Sequence, residues 1–159
     1  MAKSEKTVGV GSPLAWMDAF AEAVRGRDLD AGLVLVAPEL VGFGTSVHRA
    51  DGVGALRSRQ WSRVWPRTRG FAFAKGGMRV IASADGMLAC VLAEWTSMAA
   101  RPKGKAARRR GRCTVILAKD ASGWKSVHTH FSLKPRPEFP PASTRGPAPR
   151  AKPSARGKG

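Results

Sequence analysis

The sequence predicts one α+β domain in which about three N-terminal helices pack on a mainly antiparallel sheet. Apolar residues recur at helical spacing as far as Pro66, and after Gly70 the texture changes to short strands separated by turn signals. Of 159 residues 43% are hydrophobic, enough for one domain with a core and too few residues for a second. The chain divides into a flexible lead at 1–11, a domain at 12–134 with a basic hairpin loop at 101–112, and a disordered basic tail at 135–159, rich in Pro and Ala.

Ser12-Pro13 opens the first helix, because Ser accepts from the free amides of a helix start and Pro fits the first turn. Leu14, Met17, Phe20, Ala21 and Val24 form its apolar face, and Gly26 ends it. A shorter second helix covers residues 28–36 and stops before Pro38. Asp51 caps a third helix that runs through Val64 and is closed by Pro66, with Leu56, Gln60 and Val64 on one side and Arg57, Trp61 and Trp65 near another. A strand at 71–82 carries a bulge at Gly76-Gly77, and Ala84-Asp85-Gly86 turns the chain into a strand from Met87 to about Ala99. Strands at 113–119 and 123–133 follow. Residues 87–93 are continuously apolar, which predicts a strand covered on both faces. Three helices cover one face only, so a homodimer through the open face of the sheet is expected to cover the other.

The net charge of +17 is unevenly spread. Residues 1–100 are nearly balanced, with 12 basic and 9 acidic groups, whereas residues 101–112 carry seven cations and no acid, and the tail carries six against one. Arg101, Lys103, Lys105, Arg108, Arg109, Arg110 and Arg112 are therefore candidates for gripping nucleic acid or another polyanion without sequence preference. Neither basic segment interleaves aromatics for base stacking. Cys90 and Cys113 are read as free buried thiols. With no apolar run approaching the ~20 residues of a membrane span and no hydrophobic signal core after Met1, a cytoplasmic protein that does not enter the membrane is expected.

The strand at 123–133 is the most informative. His128 and His130 lie two apart, so period-two geometry aims both at one face, with Trp124, Ser126 and Ser132 in the same register and Val127, Phe131 and Leu133 opposite. That face, an aromatic among hydrogen-bonding groups, predicts a lined pocket.

Trp124, then Val127-His128, one residue, His130, one residue and Ser132 resemble the closing strand of SnoaL-like domains of the nuclear transport factor 2-like superfamily. This strand is similar also to that of the calcium/calmodulin-dependent protein kinase II association domain. Ala37-Pro38-Glu39-Leu40-Val41-Gly42-Phe43-Gly44 resembles the segment after the second helix in SnoaL-like proteins, and Arg112 and Thr114 fit the strand before the histidines. The resemblance covers roughly residues 14–133. It implies a cone of helices on a strongly curved sheet, of the nuclear transport factor 2-like or cystatin-like kind, and a homodimer; it implies a fold more than a reaction. It also places Glu94 and Thr114 where relatives put polar pocket residues.

A small organic ligand is expected in a pocket lined by Trp61, Trp65, Glu94, Thr114, Trp124, His128, His130 and Ser132. His128, His130 and Glu94 are the candidate catalytic residues, since imidazole beside carboxylate suits proton transfer near neutral pH. An enzyme built this way would be a cofactor-independent isomerase, dehydratase or related lyase. The chain has no tyrosine, which excludes a Tyr-dependent ketosteroid isomerase. The two histidines with Glu94 or His48 number three potential ligands, but no second acid lies near them in sequence, so neither metal nor cofactor is assigned.

Overall fold

A computed structural model describes residues 10–135; the lead and tail expected at 1–11 and 135–159 lie, but for residues 10, 11 and 135, outside them. Helix α1 spans Pro13–Gly26 and starts as its sequence requires, the Ser12 hydroxyl accepting from the Ala15 amide at 3.1 Å. Its inner stripe of Trp16, Met17, Phe20 and Val24 is buried, and the Trp16 indole donates to the Leu35 carbonyl at 2.7 Å. Helix α2 is only Leu29–Leu33, capped by Asp28, because the chain turns at once into strand β1, Val36–Phe43. The expected helix to residue 36 is thus cut short in favour of a strand that its sequence did not announce.

After the two-residue strand β2 (Ala50–Asp51), one helical segment runs through α3 (Gly52–Ala55), a π-helical stretch (Leu56–Trp61), α4 (Ser62–Val64) and a 3-10 turn (Trp65–Arg67). Asp51 precedes it but does not cap it, because its carboxylate is held by Arg49 at 2.7 Å. Strands β3 (Thr68–Phe73), β4 (Arg79–Ala82), β5 (Leu88–Ala99), β6 (Ala107–Asp120) and β7 (Gly123–Leu133) complete the chain. The strand expected at 71–82 is divided by a 3-10 turn at Lys75–Gly77, at the place of the expected bulge.

The sheet is curved, unclosed and mainly antiparallel, in the order β2-β1-β7-β6-β5-β3 with β4 also on β5. Among the described residues only β1 and β7 run parallel. Strand β6 begins at Ala107, earlier than expected, so the basic loop shrinks to residues 100–106 and Arg108 to Arg112 are strand residues. Alternation along β5 buries Ala89, Val91, Ala93 and Trp95 against the helices and leaves Leu92 and Glu94 exposed on the outer face. Cys90 and Cys113 are both free; burial in this core pushes the Cys113 thiol up to about 12.

Candidate ligand-binding cavity

One extra residue decides which side chains face inward. Leu117 pairs with Ser126 but Ile116 pairs with His128, so Val127 is a bulge in β7. Before it, Trp124 and Ser126 face the helices; after it, Thr129 and Phe131 do. His128 and His130 do share a face, as period two requires, but it is the outer one. Trp124 and Ser126 are on the other side of the sheet from them.

The outer face gathers most of the expected site without making a pocket of it. Ile116 pairs with His128, Thr114 with His130 and Arg112 with both Glu94 and Ser132. The His128 Nδ1–H donates to the Val41 carbonyl at 2.8 Å, and Phe43 meets both imidazoles edge-on at 5.3 and 5.5 Å. Glu94 lies two strands from the histidines, roughly 10 Å at ordinary strand spacing, beyond proton-transfer reach. The expected acid–base cluster inside the cone is therefore not formed. His48 borders the same shallow surface depression as His130 and Ser132, with Glu94 outside it.

The enclosed space lies on the inner face, between α1, the third helical segment and the sheet. Phe20, Trp61, Trp65, Phe71, Trp95 and Phe131 wall it, with Thr45, Gln60, Thr68, Arg109 and Thr129 supplying polar groups. Trp61 and Trp65 stack at 4.5 Å, and Phe20 meets Phe131 at 5.6 Å. Leu56 and Gln60 share a face as i, i+4 neighbours do, and the wider π turn brings Trp61 onto the same buried side, where a regular helix would turn it away. Gln60 accepts from the Ser46 amide at 2.8 Å and donates to the Thr45 hydroxyl at 3.2 Å, which fixes the loop after β1 as one wall. The cavity holds about 50 Å³, room for a few waters and about a third of the ~150 Å³ cavity that takes up benzene. A group as large as one aromatic ring therefore reaches it only by extending through the mouth, where Thr45, Val64 and Arg109 border cavity and cleft together.

Arg109 stands where this cavity opens into a broader surface cleft bordered by Arg63 and Arg67. Its Nη2 donates to the Thr68 hydroxyl at 2.7 Å and its Nε to the Ser97 hydroxyl at 3.2 Å, while the guanidinium lies over the Trp95 ring at 5.9 Å. Thr68 in turn donates to the Val64 carbonyl at 2.8 Å, so its oxygen is oriented to accept from Arg109.

Of the expected pocket residues, Trp61 and Trp65 line this cavity; Glu94, Thr114, His128, His130 and Ser132 do not, being on the outer face, and Trp124 is buried elsewhere on the inner face. Phe20, Phe71, Thr129 and Phe131 join the site unannounced, and Trp95 lines it with them. Arg109, expected among the cations of the hairpin loop at 101–112, is a strand residue, and only the alternation of β6 distinguishes it from Arg108 and Arg110. Neither imidazole nor carboxylate lines the cavity among the described residues.

Residues 14–136 match the model of the SnoaL-like domain family. No curated protein matches the chain. Among solved structures, it is similar to a protein from Xanthomonas campestris named for the calcium/calmodulin-dependent protein kinase II association domain, at 17% identity and TM-score 0.67, covering 77% of this chain and 85% of that one. A nuclear transport factor 2-like superfamily protein from Salmonella enterica serovar Typhimurium gives 18% identity and TM-score 0.66 over 82% and 92%. A protein with a cystatin-like fold from Nostoc punctiforme gives 14% identity and TM-score 0.60 over 77% and 88%. At these identities the likeness is one of fold.

Proposed function

Because the chain belongs to the SnoaL-like domain family, we propose that it is a small-molecule-binding protein whose site is the aromatic cavity behind Arg109, and that it works as a homodimer joined through the open face of its sheet. The observation that carries the first part is an apolar cavity with a few polar groups converging on its mouth, the usual form of a ligand site. Its lining offers shape and hydrogen bonds but no group suited to proton transfer at neutral pH, so the reading is binding without catalysis. Benzyl alcohol, observed by saturation-transfer NMR, tests it. Saturable transfer should appear with the native chain and vanish in Val64→Trp, which places an indole between cavity and cleft; transfer unchanged by the plug would locate binding elsewhere.

For the dimer, the support is the set of apolar groups on the outer face, among them Phe43, Ile81, Leu88, Leu92 and Met98, each at least 36% exposed. Covering them is the role a second copy would fill. Sedimentation equilibrium should give twice the 16.9 kDa chain mass, and Leu92→Glu should give the single mass. A native chain that stays monomeric at high concentration sinks this part.

A second reading rests on the outward cations. Alternation puts Arg108, Arg110 and Arg112 in one row on β6, next to Arg101, Lys103 and Lys105 of the loop. Such a row favours polyanion contact of the counterion-releasing kind. Its test is duplex DNA binding that weakens steeply with salt and disappears when the three strand arginines become Ala.

A further inference from the structure

Building on the cavity reading above, we infer that the ligand is an organic anion: a small apolar body that enters the cavity mouth from the cleft, bearing a carboxylate that lodges against Arg109. The seven cations of residues 101–112 separate by strand geometry, and Arg109 alone among them lines the cavity. It is a partly buried guanidinium whose two hydrogen bonds among the described residues go to neutral hydroxyls, Thr68 and Ser97. The ion pairs among the described residues join Arg25 to Glu22, Arg49 to Asp51 and Arg57 to Asp30, so none of them supplies Arg109 with a counterion. Burial draws its pKa down with no compensating charge nearby, yet a guanidinium does not give up its proton in a protein. The site therefore holds a partly desolvated positive charge that an anion would neutralise.

Placement then sets the shape of the ligand. Arg109 borders both the cavity and the outer cleft, so a molecule whose apolar end enters the cavity mouth beside Val64 presents its other end to the guanidinium. Three of five N–H groups remain outside the hydroxyl bonds, and a planar fork matches a carboxylate. On the cleft rim Arg63 and Arg67 add positive potential, and no carboxylate side chain borders either the cavity or the cleft among the described residues.

The test compares phenylacetate with its neutral isostere phenylacetamide, titrated by NMR into the full chain at ~0.15 M salt, where charges more than about 8 Å away are largely screened. Phenylacetate is expected to bind about tenfold tighter or more. Arg109→Gln should erase the difference, while Lys75→Ala, at an exposed turn remote from the cavity, keeps it. In the native chain the Arg109 Nε–H resonance should shift at saturation much farther with phenylacetate than with phenylacetamide, a readout that does not depend on the variant folding. Equal binding of the two probes overturns the anion class and leaves the cavity reading standing. A preference that survives in a folded Arg109→Gln, or that leaves the Arg109 resonance still, overturns it as well, because the anion is then held elsewhere. If neither probe binds, the cavity reading falls and the anion proposal with it.

Discussion

Gly111→Ala tests whether the inner wall of the site is built as described. Gly111 sits in mid-β6, paired with Trp95 on β5 and Leu133 on β7. A Cβ added there would run into the indole of Trp95 and into the backbone carbonyl of Ser132. Neither can step aside cheaply: Trp95 is 3% exposed with its Nε1–H donating to the Arg112 carbonyl, and Ser132 is within the β6–β7 ladder. Overpacking a core by a methyl costs about 1–3 kcal/mol, and a clash with backbone belongs at the upper end. Relief of glycine's entropy in a strand offsets about 0.5–1 kcal/mol, leaving roughly 2 kcal/mol. For a domain of this size that is a melting temperature lower by about 6–10 °C, read by circular dichroism and checked by urea unfolding. Since Arg109 lies over Trp95, the variant should also lose near-ultraviolet dichroism and discriminate less between phenylacetate and phenylacetamide. A variant melting within about 2 °C of the native chain would show that Trp95 does not rest on Gly111.

Ser126→Ala should leave stability unchanged or raise it by about 1 kcal/mol, because the Ser126 hydroxyl is fully buried with no hydrogen-bond partner among the described residues; a loss above about 1 kcal/mol in urea unfolding would contradict this. Cys113 ionises at about 12 when folded against 9.0 for the ordinary thiol, so the folded state keeps its proton while the unfolded state loses it, and stability falls as pH rises from 9 towards 12. Between pH ~8 and ~10.5 the native chain should lose about 2 kcal/mol more than Cys113→Ala does, and parallel losses would contradict the burial of this thiol. His128→Ala removes the bond to the Val41 carbonyl and should cost about 1 kcal/mol of stability while leaving phenylacetate affinity alone; an affinity loss would return the histidine to the site.

Much of this architecture is legible in the residues. Ser12-Pro13 starts α1 where capping chemistry says, β7 has the boundaries expected of it, and the change from helical to extended texture falls between Pro66 and Gly70. The SnoaL-like resemblance carried by the last strand agrees with the family match over residues 14–136. The site was less legible, for two reasons. Period-two reading assumes an unbroken ladder, and nothing about Val127 marks it as a bulge, yet that one residue moves both histidines to the outer face. A dense run of cations reads as loop because a packed strand rarely carries so much charge. Here β6 extends past the end of β7 with Arg108 and Arg110 left in solvent, and only Arg109 enters the interior. Strand β1 is not legible in the residues because Pro38 interrupts its pattern, and the ladder slips in register between Val36 and Val41.

The parallel pairing of β1 with β7 also bears on how the chain is made. Val41 and His128, joined by a hydrogen bond, are 87 positions apart, and Val36 pairs with Ser126. Strands β5, β6 and β7 can zip locally as each leaves the ribosome, but β1 has no permanent neighbour on that side until the last strand is synthesised. Until then Phe20 of α1, on which Trp16 stacks, lacks Phe131, one wall of its final surroundings. Closing such a distant contact is slow, and nascent chains waiting for it expose apolar surface. A stall in translation before residue 133 therefore leaves not a smaller domain but an open one, with its aromatic interior within reach of chaperones and proteases.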